Sequence, residues 1–130
     1  MIARVFLALS GLIWLPYGIY LFFAPGYLAE AAGIAATTAT GQIELRAMYG
    51  GLQAGIGALA FAGALRPARL RAVLFAGCFL FGGLAVTRSL AAIGAGEVSP
   101  YTAFGLVFEW TSTVFAFWLL RRASTASSIA

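Results

Sequence analysis

The sequence predicts an all-α integral membrane protein, a four-helix bundle with both termini in the cytoplasm. Three observations predict it. Of the 130 residues, 62% are hydrophobic and only 9% charged, against about 45–50% and about 25% in a soluble domain. Four stretches reach the roughly 20 apolar residues that cross a hydrocarbon core of about 30 Å. The arginines also segregate by loop, as the positive-inside rule requires. At this length the chain forms a single transmembrane domain over residues 1–122.

The first span runs from about Val5 to Phe23 and is stopped by Pro25-Gly26. Arg4 ahead of it and Ala29-Glu30-Ala31 after it have the form of a secretory signal. The apolar run is longer than the ~7–15 residues of a signal core, however, and it carries Trp14, Pro16, Tyr17 and Tyr20, so it is read as retained. In the first outer loop, Tyr27–Ala32 is expected to form a short interfacial helix that ends at Gly33. Thr37, Thr38 and Thr40 lead into the second span, about Gln42 to Leu65, which ends at Arg66-Pro67. The third span, about Ala72 to Ile93, precedes the flexible Gly94-Ala95-Gly96. The fourth, about Tyr101 to Leu120, opens after Pro100 and closes at Arg121-Arg122. Residues 123–130 read as a flexible cytoplasmic tail.

Orientation follows from the cations. Arg4, Arg66, Arg69, Arg71, Arg121 and Arg122 fall on one side of an even number of crossings, and the two opposite loops hold only Glu30 and Glu97. Both termini are therefore expected inside, at a bacterial inner (plasma) membrane.

Composition also excludes whole classes of function. A mean hydropathy of +0.96 excludes a soluble enzyme. Histidine is absent and Cys78 stands alone, so no metal and no cofactor is expected. The Gly-Gly pairs lack the lysine of a phosphate loop. The net charge of +4 comes from scattered arginines, which form no stripe for nucleic acid.

Four charges fall at membrane depth: Glu44, Arg46, Arg88 and Glu109. Each costs about 2.5–3.5 kcal/mol at a helix centre unless it is paired. At 1.5 Å per residue, Arg46, Arg88 and Glu109 lie roughly 7–11 Å inside the outer boundary, with Glu44 shallower and Tyr17 and Tyr20 in the same layer. Arg46, Tyr49 and Gln53 share a helical stripe at i, i+3 and i+7. Glu109 is the expected partner of Arg88 or Arg46, and Glu44 of the other. Ser112 and Thr113 extend the polar face below Glu109. The candidate cluster is thus Glu44, Arg46, Tyr49, Gln53, Arg88, Glu109, Tyr17 and Tyr20. It can brace the bundle through two ion pairs, or line a pocket open to the outer leaflet. Gly50, Ala54, Ala58 and Ala62, with Gly51 and Gly55 beside them, form a small-residue ridge for packing inside the bundle or for a homodimer seam.

The segment Glu44-Leu45-Arg46-Ala47-Met48-Tyr49-Gly50-Gly51 resembles the E-x-R-x-x-Y-G-G signature of a bacterial family, domain of unknown function 4345. Phe23-Ala24-Pro25-Gly26, Arg88-Ser89-Leu90 and Glu109 also fit its pattern. The loop Gly94-Ala95-Gly96-Glu97 departs from it, since such proteins often carry Asp-Gly there. The resemblance implies a small four-helix membrane protein of the DoxX-like group and supplies no activity. The partners expected are the lipid bilayer, a small amphiphilic ligand, and a second copy or a partner membrane subunit. Accessory subunits of respiratory oxidoreductases in the wider group suggest the last. A non-catalytic binding role is the first reading. A membrane enzyme acting on a lipid-soluble substrate, with Glu109 or Glu44 as proton shuttle, is the alternative, and a small-molecule transporter the weaker one.

Overall fold

A computed structural model describes residues 1–127, with side chains as far as Arg122. Six α-helices follow one another: α1 (Ile2–Phe23), α2 (Tyr27–Ala32), α3 (Ala39–Leu45), α4 (Leu52–Leu65), α5 (Pro67–Ala95) and α6 (Pro100–Ser127). A π-helical turn, Arg46–Gly51, joins α3 to α4 without a break. No strand occurs among the described residues. Four helical stretches are long and apolar enough to cross a membrane: Ile2–Phe23, Ala39–Leu65, Pro67–Ala95 and Pro100–Arg122.

The last two long helices extend beyond their expected apolar spans for a definite reason. Pro67 and Pro100 are the first residues of α5 and α6, where proline's fixed φ suits a helix and its missing N–H costs nothing. Hydropathy marks only the lipid-compatible part of a helix, so it passes over the turn carrying Arg69 and Arg71. Arg66, the single residue between α4 and α5, is extended (φ −118, ψ 106), as the residue before a proline tends to be. The expected tail, 123–130, is helical in its first part, since α6 continues to Ser127, and residues 128–130 lie outside the described residues.

The chain forms two compact units, one ending at Arg66 and the other beginning at Pro67. In the first unit α1 pairs with the helix α3–α4. The approach is backbone to backbone. A Cβ at Gly18 would collide with the backbone nitrogen of Ala54 and lie 2.6 Å from the Gly50 carbonyl oxygen. A Cβ at Gly50 would lie 2.9 Å from the Phe22 Cα. Small residues allow this closeness, which drives helix association where lipid offers no hydrophobic gain. The seam facing α1 is Gly50 of the π-helical turn with Ala54, Gly57 and Phe61 of α4, in place of the expected Gly50, Ala54, Ala58 and Ala62. Steps alternating near three and four keep one face on a partner, and a strict step of four drifts away, leaving Ala58 exposed.

The loop after α1 folds onto the end of this hairpin. The short helix expected at Tyr27–Ala32 is present as α2 and is closed by Gly33 in the left-handed conformation (φ 68). The Gly33 and Ile34 N–H groups both return to the Leu28 carbonyl, the latter at 3.0 Å, which closes the helix end. Leu28 is fully buried with Leu21 of α1 and Leu45 of α3, while Tyr27, Ala29 and Glu30 stay exposed. Thr38 caps α3, accepting a bond from the Gly41 N–H at 3.1 Å.

In the second unit α5 and α6 form an antiparallel hairpin. Its core comprises Val73, Leu74, Phe81 and Ala85 of α5 with Ala116 and Leu119 of α6. Gly82 faces Thr113 and Gly77 faces Ala116 across the seam.

Candidate functional sites

Arg88 and Glu109 are brought together within the α5–α6 hairpin. The guanidinium meets both carboxylate oxygens: Nε donates to Oε2 at 2.9 Å and to Oε1 at 3.1 Å, and Nη2 donates to Oε1 at 2.7 Å. Glu109 is only 2% exposed, while the Arg88 side chain keeps 30% of its surface accessible. Such a fork-on-fork pair fixes orientation as well as charge. The Arg88 stem lies over Gly105, one turn before Glu109, where a Cβ would stand 3.0 Å from Nε. One residue along each helix, Trp110 Nε1 donates to Ser89 Oγ at 3.1 Å, and Ser89 donates to the Ala85 carbonyl at 2.6 Å. Ser112 is buried, and the Thr113 hydroxyl donates to the Glu109 carbonyl.

The other candidates belong to the first unit. Arg46 was expected to reach a carboxylate, and it binds neutral oxygens instead. Its Nε donates to the Phe22 carbonyl at 3.1 Å, and Nη1 donates to the Gln42 carbonyl at 3.3 Å and to Gln42 Oε1 at 3.2 Å. Phe22 lies in the last turn of α1, whose carbonyls have no acceptor role inside the helix and together carry about half a negative charge. That end stands where a glutamate was expected. Arg4 does the same at the opposite end of the hairpin, donating from Nε to the Ala64 carbonyl of α4 at 2.7 Å. Two arginines thus close two helix ends. Gln42 continues the first clasp, its Nε2 donating to the Ala36 carbonyl at 3.2 Å.

The π-helical turn explains why Arg46, Tyr49 and Gln53 do not act as one stripe. Bonding from i to i−5, as from the Leu52 N–H to the Ala47 carbonyl, inserts a residue and rephases the helix. Such turns are frequent at functional sites. Arg46 reaches α1, while Tyr49 and Tyr17 pack on the Leu21–Leu28–Leu45 cluster. Gln53 Oε1 is buried with no hydrogen-bond partner among the described residues. Tyr20 is exposed and stands edge-on to Tyr27, ring centroids 5.6 Å apart.

Glu44 and Tyr49 line one cavity of about 380 Å³. One wall is the segment 35–38, held in place by Gln42. The other is the helix face bearing Glu44, Leu45, Met48 and Tyr49. No hydrogen bond or ion pair engages the Glu44 carboxylate among the described residues. The cavity is an open-sided groove with Glu44 and Met48 exposed on it, mostly apolar with a few polar groups.

Sequence reasoning missed Gln42, Ser89, Trp110 and Gly105. Gln42 was detectable as the i−4 neighbour of Arg46. Trp110 and Ser89 adjoin Glu109 and Arg88 directly, and their pairing follows once those two are set opposite each other. Among the described residues no group of three or more His, Cys, Asp or Glu could hold a metal ion.

The family model for a domain of unknown function (DUF4345) matches residues 2–120, a span that includes every residue of both sites. No curated protein and no solved structure matches the chain.

Proposed function

We propose that this chain, which belongs to the DUF4345 family, is a bacterial inner-membrane protein that binds a small amphiphile in the Glu44–Tyr49 cavity. Its four long helices cross the membrane with both termini cytoplasmic, and binding rather than catalysis is its role. The observation that carries this is the contrast between the two glutamates. Glu109 is enclosed, with both oxygens taken by one guanidinium, and acts as a strut. Glu44 faces a cavity of about 380 Å³ with its carboxylate uncommitted.

The cavity also suggests the ligand's chemistry. Leu45, Met48 and the alanines at 35 and 36 offer apolar contact, and methionine adapts to irregular shapes. The Glu44 carboxylate calls for a head group that is cationic or donates hydrogen bonds. Native mass spectrometry of the full chain in mild detergent tests this. An amphiphile should co-purify, and Glu44→Gln should lose it while Arg88→Gln retains it. Equal retention by Glu44→Gln, or no bound species on the unaltered chain, would refute the reading.

A further inference from the structure

We propose that the arginine-bearing end of the α5–α6 hairpin is a separate binding site for the phosphate of an anionic phospholipid. A second cavity of about 610 Å³ opens there, lined by Ala68, Arg71, Ala72 and Phe75 of α5 and by Leu120 and Arg121 of α6. The α5 residues recur at i, i+3, i+4 and i+7, so one continuous helix face forms the wall. Both arginines of the lining border one cavity, which concentrates positive charge on a single occupant. Arg69 and Arg122 stand at the same end outside the lining, and the opposite end of the hairpin carries only Glu97.

The rest of the lining matches the remainder of a lipid. Phe75 lies one turn deeper than Arg71, about 6 Å further along the helix, and offers apolar surface below the cations. Ala68 and Ala72 keep the space between them open. Arg121 lies over the Phe117 ring at 5.7 Å, which fixes its stem beside the cavity. The first turn of α5 adds the positive end of its dipole. Basic pockets between membrane helices recognise anionic head groups in this way, and arginine suits phosphate better than lysine does.

Lipid binding to the full chain in detergent, read by native mass spectrometry, tests the assignment. Phosphatidylglycerol should bind more tightly than phosphatidylcholine with the same acyl chains. An arginine near an anionic surface contributes about five-fold in affinity, so Arg71→Gln with Arg121→Gln should weaken phosphatidylglycerol about 25-fold. Arg69→Gln with Arg122→Gln removes the same charge from outside the cavity and should change affinity by no more than about two-fold. Equal losses in the two pairs would reduce the effect to diffuse attraction and overturn the site. Arg71→Lys with Arg121→Lys keeps the charge, so it should retain preference for phosphatidylglycerol even if the glutamine pair folds poorly. Loss of that preference in a folded lysine pair would overturn the assignment. Inorganic phosphate displacing phosphatidylglycerol at equal concentration would make this a site for the free ion and refute the lipid assignment.

Discussion

Replacing Glu109 by glutamine removes the buried charge of the α5–α6 hairpin while keeping the shape of the side chain. Three charge-assisted contacts converge there, at 2.7, 2.9 and 3.1 Å. The glutamine amide keeps one acceptor for Arg88 and turns its other position into a donor facing a donor. Breaking a buried pair from one side costs about 3–5 kcal/mol. Arg88 keeps 30% of its side-chain surface accessible, which lets it find partial solvation and lowers the expectation to about 2–3 kcal/mol. The double change Glu109→Gln with Arg88→Gln leaves no orphaned charge, so it should be more stable than Glu109→Gln alone. The coupling energy should exceed about 1.5 kcal/mol. Denaturant unfolding of the full chain in mixed micelles, with all four members of the cycle in one detergent, measures it. A cycle that closes within about 0.5 kcal/mol would mean the two side chains act independently. The strut assigned to them would then be wrong.

Four further expectations test the remaining geometry. Gly18→Ala drives a Cβ into the backbone of Ala54, which cannot move aside as a side chain can, so it should cost about 3 kcal/mol or more by overpacking. Gly55→Ala has nothing within 4 Å and should be neutral or stabilising by up to about 1 kcal/mol, both read by the same unfolding assay. Gly105→Ala places a Cβ 3.2 Å from the Arg88 Cζ; it should cost about 1–2 kcal/mol in the parent and distinctly less once Arg88 is glutamine. Arg46→Gln should lose the contacts to Phe22 and Gln42 and destabilise by about 1–2 kcal/mol, with faster amide exchange in the last turn of α1 as the local signature.

The elements read best from the sequence were those whose signal is local. Gly33 after Tyr27–Ala32 identified a short helix and its stop, because a left-handed terminus is a property of one residue and its neighbours. Glu109 was named for Arg88 or Arg46, and charge at membrane depth was enough to narrow it that far. The features that escaped depend on the backbone. Arg46 was assigned a carboxylate because only side-chain charges are visible in a sequence, yet its partner is the carbonyl end of α1. A helix terminus carries about half a charge that no residue type announces. The π-helical turn is hidden for a similar reason, since its i to i−5 bonding is a backbone pattern that no residue type announces, formed where α1 packs against it. Gly18 and Gly50 admit that helix, and the rephased turn then directs Arg46 to the Phe22 carbonyl while Tyr49 turns to the Leu21–Leu28–Leu45 cluster. In this chain the E-x-R-x-x-Y-G-G segment is therefore a clasp on the end of α1. Arginine holds the carbonyls, tyrosine packs the loop, and the first glycine makes room for Phe22. Among the described residues the glutamate carries the one polar side chain of the signature that the clasp leaves with a face on the cavity and no bond to another group, and that is the physical ground for assigning it to a ligand.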